Sequence, residues 1–161
     1  MSDQTSVRKM QIEDLDQVVA IDQASFSLPW PARSFRYEIT ENPAARAWVA
    51  ERDGNVIGLL VLWLIVGEAH IATLATHPEF RRQGVARKLL IQALRAAAAE
   101  GARSAVLEVR AGNEAARAMY GKYGFVEDGR RARYYKDNGE DAILMSLPKL
   151  DPETFEGMDG G

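Results

Sequence analysis

A strand, a glycine turn and a helix follow one another without a linker at the middle of this chain. Residues 68–76, EAHIATLAT, predict a β-strand that ends before Pro78. After the turn RRQGVA at 81–86, apolar side chains recur at helical spacing from Val85, through an alanine-rich stretch, to Gly101. The helix would direct its unpaired N–H groups and the positive end of its dipole at the turn. The turn therefore predicts an anion site.

The rest of the chain shows the same alternation of strands and helices. Helical spacing at 14–26 and 32–41, and a hairpin signal at Asp53-Gly54, help to give the order β, α, α, β, β, β, α, β, α, β, β. This order predicts an α/β (α+β) fold with one mixed sheet and helices on both faces. At 161 residues the chain suits a single domain. We expect it to span 1–148, followed by an acidic, flexible tail at 149–161 that is rich in glycine.

Composition excludes several classes of protein. The chain has no cysteine, which excludes disulfides, thiolate metal sites and a cysteine nucleophile. It has two histidines, His70 and His77, to which we assign no role, so no metal is expected. A net charge of −3 disfavours direct contact with nucleic acid. The apolar run at 56–67 is shorter than the roughly 20 residues of a membrane-spanning helix, and the N-terminus has no signal-peptide core. We expect a cytoplasmic protein with no membrane partner.

The residues of the turn suit a diphosphate ligand. Arg81 and Arg82 add formal positive charge, and Gly84 lets the main chain approach a ligand closely. A tight turn with solvated arginines explains the same residues equally well, because R-x-x-G-x-A is a short motif. A Rossmann-type dinucleotide site fits less well, since the full G-x-G-x-x-G pattern is missing.

Three further segments narrow the interpretation. They are FSLPWPARSF at 26–35, LEVRAGNEAARAMYGKYGF at 107–125 and RRARYYKDNGEDAILM at 130–145. Together with the turn they resemble the GNAT superfamily of acetyl-coenzyme A dependent N-acetyltransferases, over about residues 6–147. Within it they look most like the branch that acetylates protein N-termini, the RimI-type ribosomal-protein-alanine N-acetyltransferases. The resemblance implies a GNAT fold, with about seven strands and a splay between the fourth and fifth.

The resemblance implies that acetyl-CoA is the co-substrate and that no metal takes part. The turn would hold the pyrophosphate of the coenzyme, and main-chain N–H groups of the preceding strand would polarise the thioester carbonyl. Asn113 would contact the coenzyme, cap a helix, or do both. The residues assigned to acetyl-CoA in this way are Leu74, Ala75, Thr76, Arg81, Arg82, Gln83, Gly84, Val85, Ala86 and Asn113.

Two side chains are candidates for the proton transfers. Alternation along residues 107–109 puts the Glu108 side chain on the face opposite its two apolar neighbours. From residue type alone, a solvated glutamate on a strand is the commoner explanation; the resemblance implies a general base, acting directly or through a water. Tyr120 would by itself be a core tyrosine, a role for which Tyr123 is the better candidate. The resemblance makes Tyr120 the acid that protonates the coenzyme thiolate.

The resemblance assigns the acceptor to two loops, one near the N-terminus and one near the C-terminus. Its residues are Leu28, Pro29, Trp30, Tyr134 and Tyr135. Exposed aromatic side chains favour a binding role on their own, although Trp30 could instead cap a small satellite core. Glu140 and Asp141 could favour a basic peptide.

We therefore expect an enzyme that transfers the acetyl group of acetyl-CoA to the N-terminal α-amino group of a protein or peptide. The expected acceptor is the N-terminal alanine of a ribosomal protein, reached by direct attack in a ternary complex. Acetylation of a small amine or of lysine side chains stays open. So does a coenzyme-binding domain without catalysis, although the presence of both Glu108 and Tyr120 argues against it. We expect a monomer or weak dimer.

Overall fold

A computed structural model describes residues 4–150, which form seven strands and four helices in the predicted order. The strands are β1 (Ser6–Lys9), β2 (Ala45–Arg52), β3 (Asn55–Ile65), β4 (Glu68–Thr76), β5 (Ser104–Arg110), β6 (Val126–Arg131) and β7 (Ala142–Leu147). The helices are α1 (Leu15–Ser25), α2 (Ala32–Thr40), α3 (Val85–Ala99) and α4 (Glu114–Lys122). The predicted bounds of β4 and the predicted start of α2 are confirmed.

The strands form one mixed sheet in the order β1-β2-β3-β4-β5-β7-β6. All neighbours are antiparallel except β4 and β5, which pair in parallel only as far as Ile71 and Leu107. Next to this last pair, a register shift between β3 and β4 leaves Ala72 without a partner, and such bulges bend a strand. Beyond this point β4 and β5 diverge. The predicted splay between the fourth and fifth strands is confirmed.

Both faces of the sheet are covered, as predicted. Leu60 and Leu62 of β3 lie in a core with α3 and α4, whereas Leu59 and Val61 lie in a second core with α1 and α2. The alternation follows from the two-residue period of a strand. Because both sets of side chains are fully buried, β3 has a continuous apolar sequence rather than an alternating one. The apolar run at 56–67 is therefore a central strand and its hairpin. Within residues 4–150, no helix is sufficiently long and apolar for a membrane span.

The predicted domain end differs from the structure by two residues. Leu150 is buried in the core on the α3 side, and its N–H donates to the Arg103 carbonyl at 2.8 Å. Residues 149–150, which the sequence assigned to the acidic tail, thus remain attached to the fold. The rest of the predicted tail, 151–161, lies outside the described residues.

Gly58 controls how closely α3 approaches the sheet. A Cβ at this position would lie 2.9 Å from Val85 Cγ1, 3.0 Å from Leu89 Cδ1 and 3.2 Å from the Ala75 carbonyl oxygen. We expect Gly58→Ala to destabilise the fold by about 1–3 kcal/mol, since core overpacking moves neighbouring atoms. Coenzyme affinity should also fall, because Val85 begins α3. Urea denaturation and calorimetry with acetyl-CoA measure the two effects.

Gly121 provides the matched control for that substitution. It lies within α4, and a Cβ there would meet no atom within 4 Å. Gly121→Ala should therefore be neutral or stabilising, by up to about 1 kcal/mol. If Gly58→Ala unfolds at the same urea concentration as the unsubstituted chain, the close packing of α3 on β3 is not limiting.

Candidate active site

The turn before α3 has the backbone of an anion site. Gly84 adopts φ +81° and Arg82 φ +65°, both in the left-handed region. The first hydrogen bond of α3 runs from the Lys88 N–H to the Gly84 carbonyl at 3.0 Å. The N–H groups of Val85 and Ala86 precede that bond and so have no partner within the helix. Where left-handed residues adjoin the first N–H groups of a helix, these groups converge on one concave surface. That surface is positively polarised.

Side chains of the turn brace it against the rest of the fold. Arg81 Nε donates to the Thr76 carbonyl at 3.2 Å, and its Nη2 lies 3.3 Å from Ser25 Oγ. The Gln83 side-chain oxygen accepts from Arg52 Nη1 at 2.8 Å. Arg81 thus connects the end of β4 to the end of α1. The assignment of Arg81 to the coenzyme through its charge stays a prediction, and its side chain also fixes the position of the turn.

The end of β4 exposes one edge of its main chain to the splay. Leu74, Ala75 and Thr76 pair with β3 on one side. On the other side, pairing with β5 has stopped at Ile71. Main-chain N–H and C=O groups need partners, and a ligand in the gap could provide them. The predicted main-chain donors are therefore placed at the opening that leads to the anion turn.

Glu108 lies on β5, one residue beyond the last pair with β4. Its neighbours Leu107 and Val109 are buried, so its side chain is on the opposite face, as alternation predicts. The carboxylate accepts a hydrogen bond from the Tyr134 hydroxyl at 3.3 Å, and Arg131 Nε lies at 3.6 Å. The side chain is 26% exposed. Glu108, the expected base, and Tyr134, an expected acceptor residue, are thus in contact.

Tyr120 lies in the core on the α3 and α4 side, with its ring 5.5 Å from Phe125. Burial raises the pKa of its phenol, so the hydroxyl stays protonated at neutral pH. That hydroxyl has no hydrogen-bond partner among residues 4–150. Tyr123 is buried in the same core, which confirms the expectation that it is a core tyrosine, and Tyr120 shares that core with it. Glu108 and Tyr120 are on opposite faces of the sheet.

The start of α4 is fixed by two polar contacts. The Asn113 side chain accepts from the Ala116 N–H at 3.2 Å, which makes it the N-cap of the helix. The Gly112 N–H donates to Glu140 Oε2 at 2.5 Å. Capping by Asn113 is confirmed, and a contact with the coenzyme stays a prediction.

Glu140 and Asp141 have their partners within the chain. The Gly112 N–H is the main cause that lowers the pKa of Glu140. The Arg133 N–H at 3.0 Å and Arg130 at 2.7 Å lower the pKa of Asp141. Because these carboxylates already stabilise the β6–β7 loop, the structure gives no support for the suggestion that they select a basic peptide.

The loop between α1 and α2 combines an exposed and a packed part. Leu28 is 59% exposed. The Trp30 ring lies 5.1 Å from Phe35 and 6.4 Å from Trp63, and it packs against the second core. Trp30 therefore caps a core, the alternative that the sequence left open. The main-chain N–H of Trp30 donates at 2.8 Å to the carboxylate of Asp22. Burial raises the pKa of this carboxyl group.

The loop between β6 and β7 presents the other predicted acceptor side chains. Tyr134 is 42% exposed and Tyr135 is partly buried, and their rings meet edge to face at 5.2 Å. An ion pair between Arg110 and Asp137 brings this loop to Ser27 in the α1–α2 loop. Sequence reasoning missed these three residues. The one available signal for Arg110 was its position two residues after Glu108, because residues i and i+2 of a strand lie on the same face of the sheet.

Both histidines have structural surroundings. His77 Nδ1 accepts from the Glu79 N–H at 3.0 Å and caps the short turn at Pro78–Phe80. The His70 ring meets Trp63 edge to face at 5.3 Å. Within the described range 4–150, no group of three His, Asp or Glu side chains is arranged to hold a metal ion.

Residues 15–125, which contain the anion turn, the splay and Glu108, match the model of the Acetyltransferase (GNAT) family. The chain belongs to this family. It is an N-acetyltransferase, and the enzymes of the GNAT family use acetyl-CoA. The matched range includes the proposed coenzyme residues and ends at Phe125, before the β6–β7 loop.

Relatives of known name cover almost the whole chain. A putative [ribosomal protein bS18]-alanine N-acetyltransferase of Bacillus subtilis is 39% identical over 90% of this chain and 96% of its own length. The crystal structure of the ribosomal-protein-S18-alanine N-acetyltransferase from Escherichia coli has a TM-score of 0.83 at 29% identity, covering 91% of this chain and 94% of that chain. Ard1 from Thermoplasma volcanium has a TM-score of 0.85 at 28% identity, covering 92% and 100%.

Proposed function

We propose that the chain acetylates the N-terminal α-amino group of a protein, with the N-terminal alanine of a ribosomal protein as acceptor. The observation that carries this proposal is the contact between Glu108 and Tyr134 on the face of the sheet that also holds the α1–α2 loop. This face of the sheet thus holds a proton acceptor, Glu108, next to exposed side chains that can contact an extended peptide. The names of the relatives from Bacillus subtilis and Escherichia coli specify the same class of acceptor.

Acetyl-CoA fits the other side of the splay. Its diphosphate suits the N–H groups at Gly84, Val85 and Ala86, where the left-handed Gly84 has no side chain and the nearest atom to a Cβ would be Arg87 Nε, 4.0 Å away. Its pantetheine arm suits the free edge of β4 at Leu74–Thr76, whose N–H groups can also donate to the thioester oxygen. This placement would bring the thioester into the gap between Glu108 and Tyr120.

The reaction then needs no covalent intermediate on the protein. The amine nitrogen attacks the carbonyl carbon of the thioester, the carbon–sulfur bond breaks, and the sulfur takes the bonding electrons. Glu108 accepts the proton that leaves the nitrogen, directly or through a water. Tyr120, which burial keeps protonated, returns a proton to the sulfur. Since the chain has no cysteine, direct attack in a ternary complex is favoured over a cysteine-bound acetyl group.

We also propose that one GNAT domain comprises residues 1–150 and acts as a monomer or weak dimer. A ribosomal acceptor would place the enzyme in the cytoplasm, where ribosomal proteins are made. The coenzyme side and the acceptor side of the splay both belong to one chain. A second subunit is therefore not required to complete the proposed site.

The acceptor is tested with matched peptides. One peptide begins with a free alanine and contains no lysine; the second has a blocked N-terminus and one internal lysine. At pH 7.5 the neutral fraction of an α-amine exceeds that of lysine roughly 300-fold, because their pKa values are about 7.8 and 10.4. We expect kcat/KM for the free alanine peptide to exceed that for the lysine peptide by about 100-fold or more. Thiol release measures both.

Spermidine and an aminoglycoside serve as small-amine controls in the same assay. A kcat/KM for either that equals or exceeds the value for the alanine peptide would replace the proposal with small-amine acetylation. Comparison of intact ribosomal-protein masses, from cells with and without the enzyme, then identifies the natural acceptor. An acetyl group on one N-terminus is the expected difference.

A further inference from the structure

Arg110 is placed to act on the acceptor side of the site. It is the last residue of β5, and its side chain shares the face of Glu108. Its Nη1 and Nη2 atoms each lie 3.0 Å from one carboxylate oxygen of Asp137. Both side chains are less than a quarter exposed. A bidentate, partly buried pair of this kind is stronger and more directional than an exposed ion pair.

Ser27 connects this ion pair to the other acceptor loop. Its hydroxyl donates to the Asp137 carboxylate and lies 3.4 Å from Arg110 Nη2. Ser27 is in the α1–α2 loop at 26–31, and Asp137 is in the β6–β7 loop at 132–141. Within residues 4–150, no other hydrogen bond or ion pair joins these two loops. The two predicted walls of the acceptor groove therefore depend on one cluster of three side chains.

The surroundings keep this cluster ionised and oriented. The Arg110 guanidinium lies over the Tyr135 ring, 4.0 Å from its centroid, and its Nη1 is 3.4 Å from Glu140 Oε1. The hydrogen bonds from Ser27 and Arg110 lower the pKa of Asp137. Arg110 thus orients Tyr135, a predicted acceptor residue, and holds Asp137 and Ser27 at the same time.

We propose that Arg110 and Asp137 are positioning residues that fix the separation of the α1–α2 and β6–β7 loops and thereby set the affinity for the acceptor. This inference rests on the proposed function, because the two loops are the proposed walls of the peptide groove. The cluster touches neither the anion turn nor the β4 edge. Its loss should therefore act on the acceptor and leave the coenzyme almost unaffected.

Asp137→Asn tests the cluster with little change of shape. We expect it to raise KM for the alanine peptide about 10-fold, as for a lost charged hydrogen bond, while kcat and KM for acetyl-CoA stay within about 2-fold. Ser27→Ala should raise the same KM about 3-fold. The double variant should match Asp137→Asn alone, because both changes break one connection.

Glu100→Gln is the matched control. Glu100 forms an ion pair with Arg46 at 2.9 Å, between β2 and the end of α3. This ion pair has the same chemistry as the pair between Arg110 and Asp137, and it lies outside the proposed groove. Thermal unfolding of all variants separates a local effect from a loss of stability. Glu100→Gln should leave the peptide KM unchanged.

A distance measurement tests the loops without any acceptor. Because the chain has no cysteine, Ala32→Cys and Lys136→Cys introduce unique sites for spin labels, and both positions are exposed. The label-to-label distance distribution should be narrow with Asp137 present and broader in Asp137→Asn. If no peptide is acetylated, the proposed function fails while this measurement still decides the role of the cluster.

Two results would overturn the inference. One is a label distance distribution that Asp137→Asn leaves unchanged. The other applies if the enzyme is active: in Asp137→Asn, KM for the peptide stays constant or falls. A rise in the peptide KM together with KM for acetyl-CoA counts against the inference as well. A parallel rise in both KM values would indicate a general loss of structure.

Discussion

Replacing Glu108 with glutamine is expected to lower kcat/KM by about 10²- to 10³-fold, within the range of about 10²- to 10⁴-fold for loss of a general base. Glutamine has almost the same shape and can still accept the hydrogen bond from the Tyr134 hydroxyl, 3.3 Å away in the structure. It cannot accept a proton. The acceptor α-amine, with a pKa of about 7.7–8.0, is partly neutral at physiological pH. Because part of the amine needs no base, the expected loss of kcat/KM is smaller than the roughly 10⁴-fold upper value for a general base.

The pH dependence of kcat/KM identifies what Glu108 does. In the variant, the rise with pH should follow the amine of the peptide alone, because no side-chain base remains at position 108. Glu68→Gln is the matched control, because Glu68 is exposed at the opposite end of β4. It should retain full activity. A Glu108→Gln enzyme within about 3-fold of the unsubstituted enzyme at every pH would transfer the proton to solvent and leave Glu108 without a catalytic role.

The fold could be predicted because its signals are local. Turns, caps and periodicity marked the limits of β4 and the start of α3, and both are confirmed. The alternation of Leu107, Glu108 and Val109 correctly predicted the face of the proposed base. The splay was implied by family resemblance. Its physical basis is the unpaired Ala72 next to the last β4–β5 pair, which no sequence period reveals.

Features that depend on distant parts of the chain were missed. The length of β6, Val126–Arg131, has no clear signal in the sequence, because an edge strand is exposed on both faces and lacks the apolar alternation of a buried strand. The partners Arg110 and Asp137 are 27 positions apart. Trp30 packs on Phe35 and Trp63, which no local signal specifies, and its assignment to the acceptor stays a prediction. A single sequence indicates which side chains need partners more readily than which partners they find.

Replacing Tyr120 with phenylalanine is expected to lower kcat about 100-fold, at the lower end of the range for loss of a general acid. Thiols have a pKa near 8.5, so a thiolate can leave without a proton donor, although more slowly. The phenyl ring keeps its packing against Phe125, 5.5 Å away. Because the hydroxyl has no partner among residues 4–150, its removal leaves no group unsatisfied. Stability and acetyl-CoA affinity should therefore be maintained.

Tyr123→Phe removes the same atom three residues further along the chain and is the matched control. Tyr123 is also buried in the α3-side core, so any effect common to core tyrosines should appear in both variants. Only Tyr120→Phe should lose rate. Burial raises the pKa of Tyr120, so its titration should produce no descending limb of kcat below about pH 10. A Tyr120→Phe enzyme that keeps its kcat would place the proton donor elsewhere, with bulk water as the simplest source.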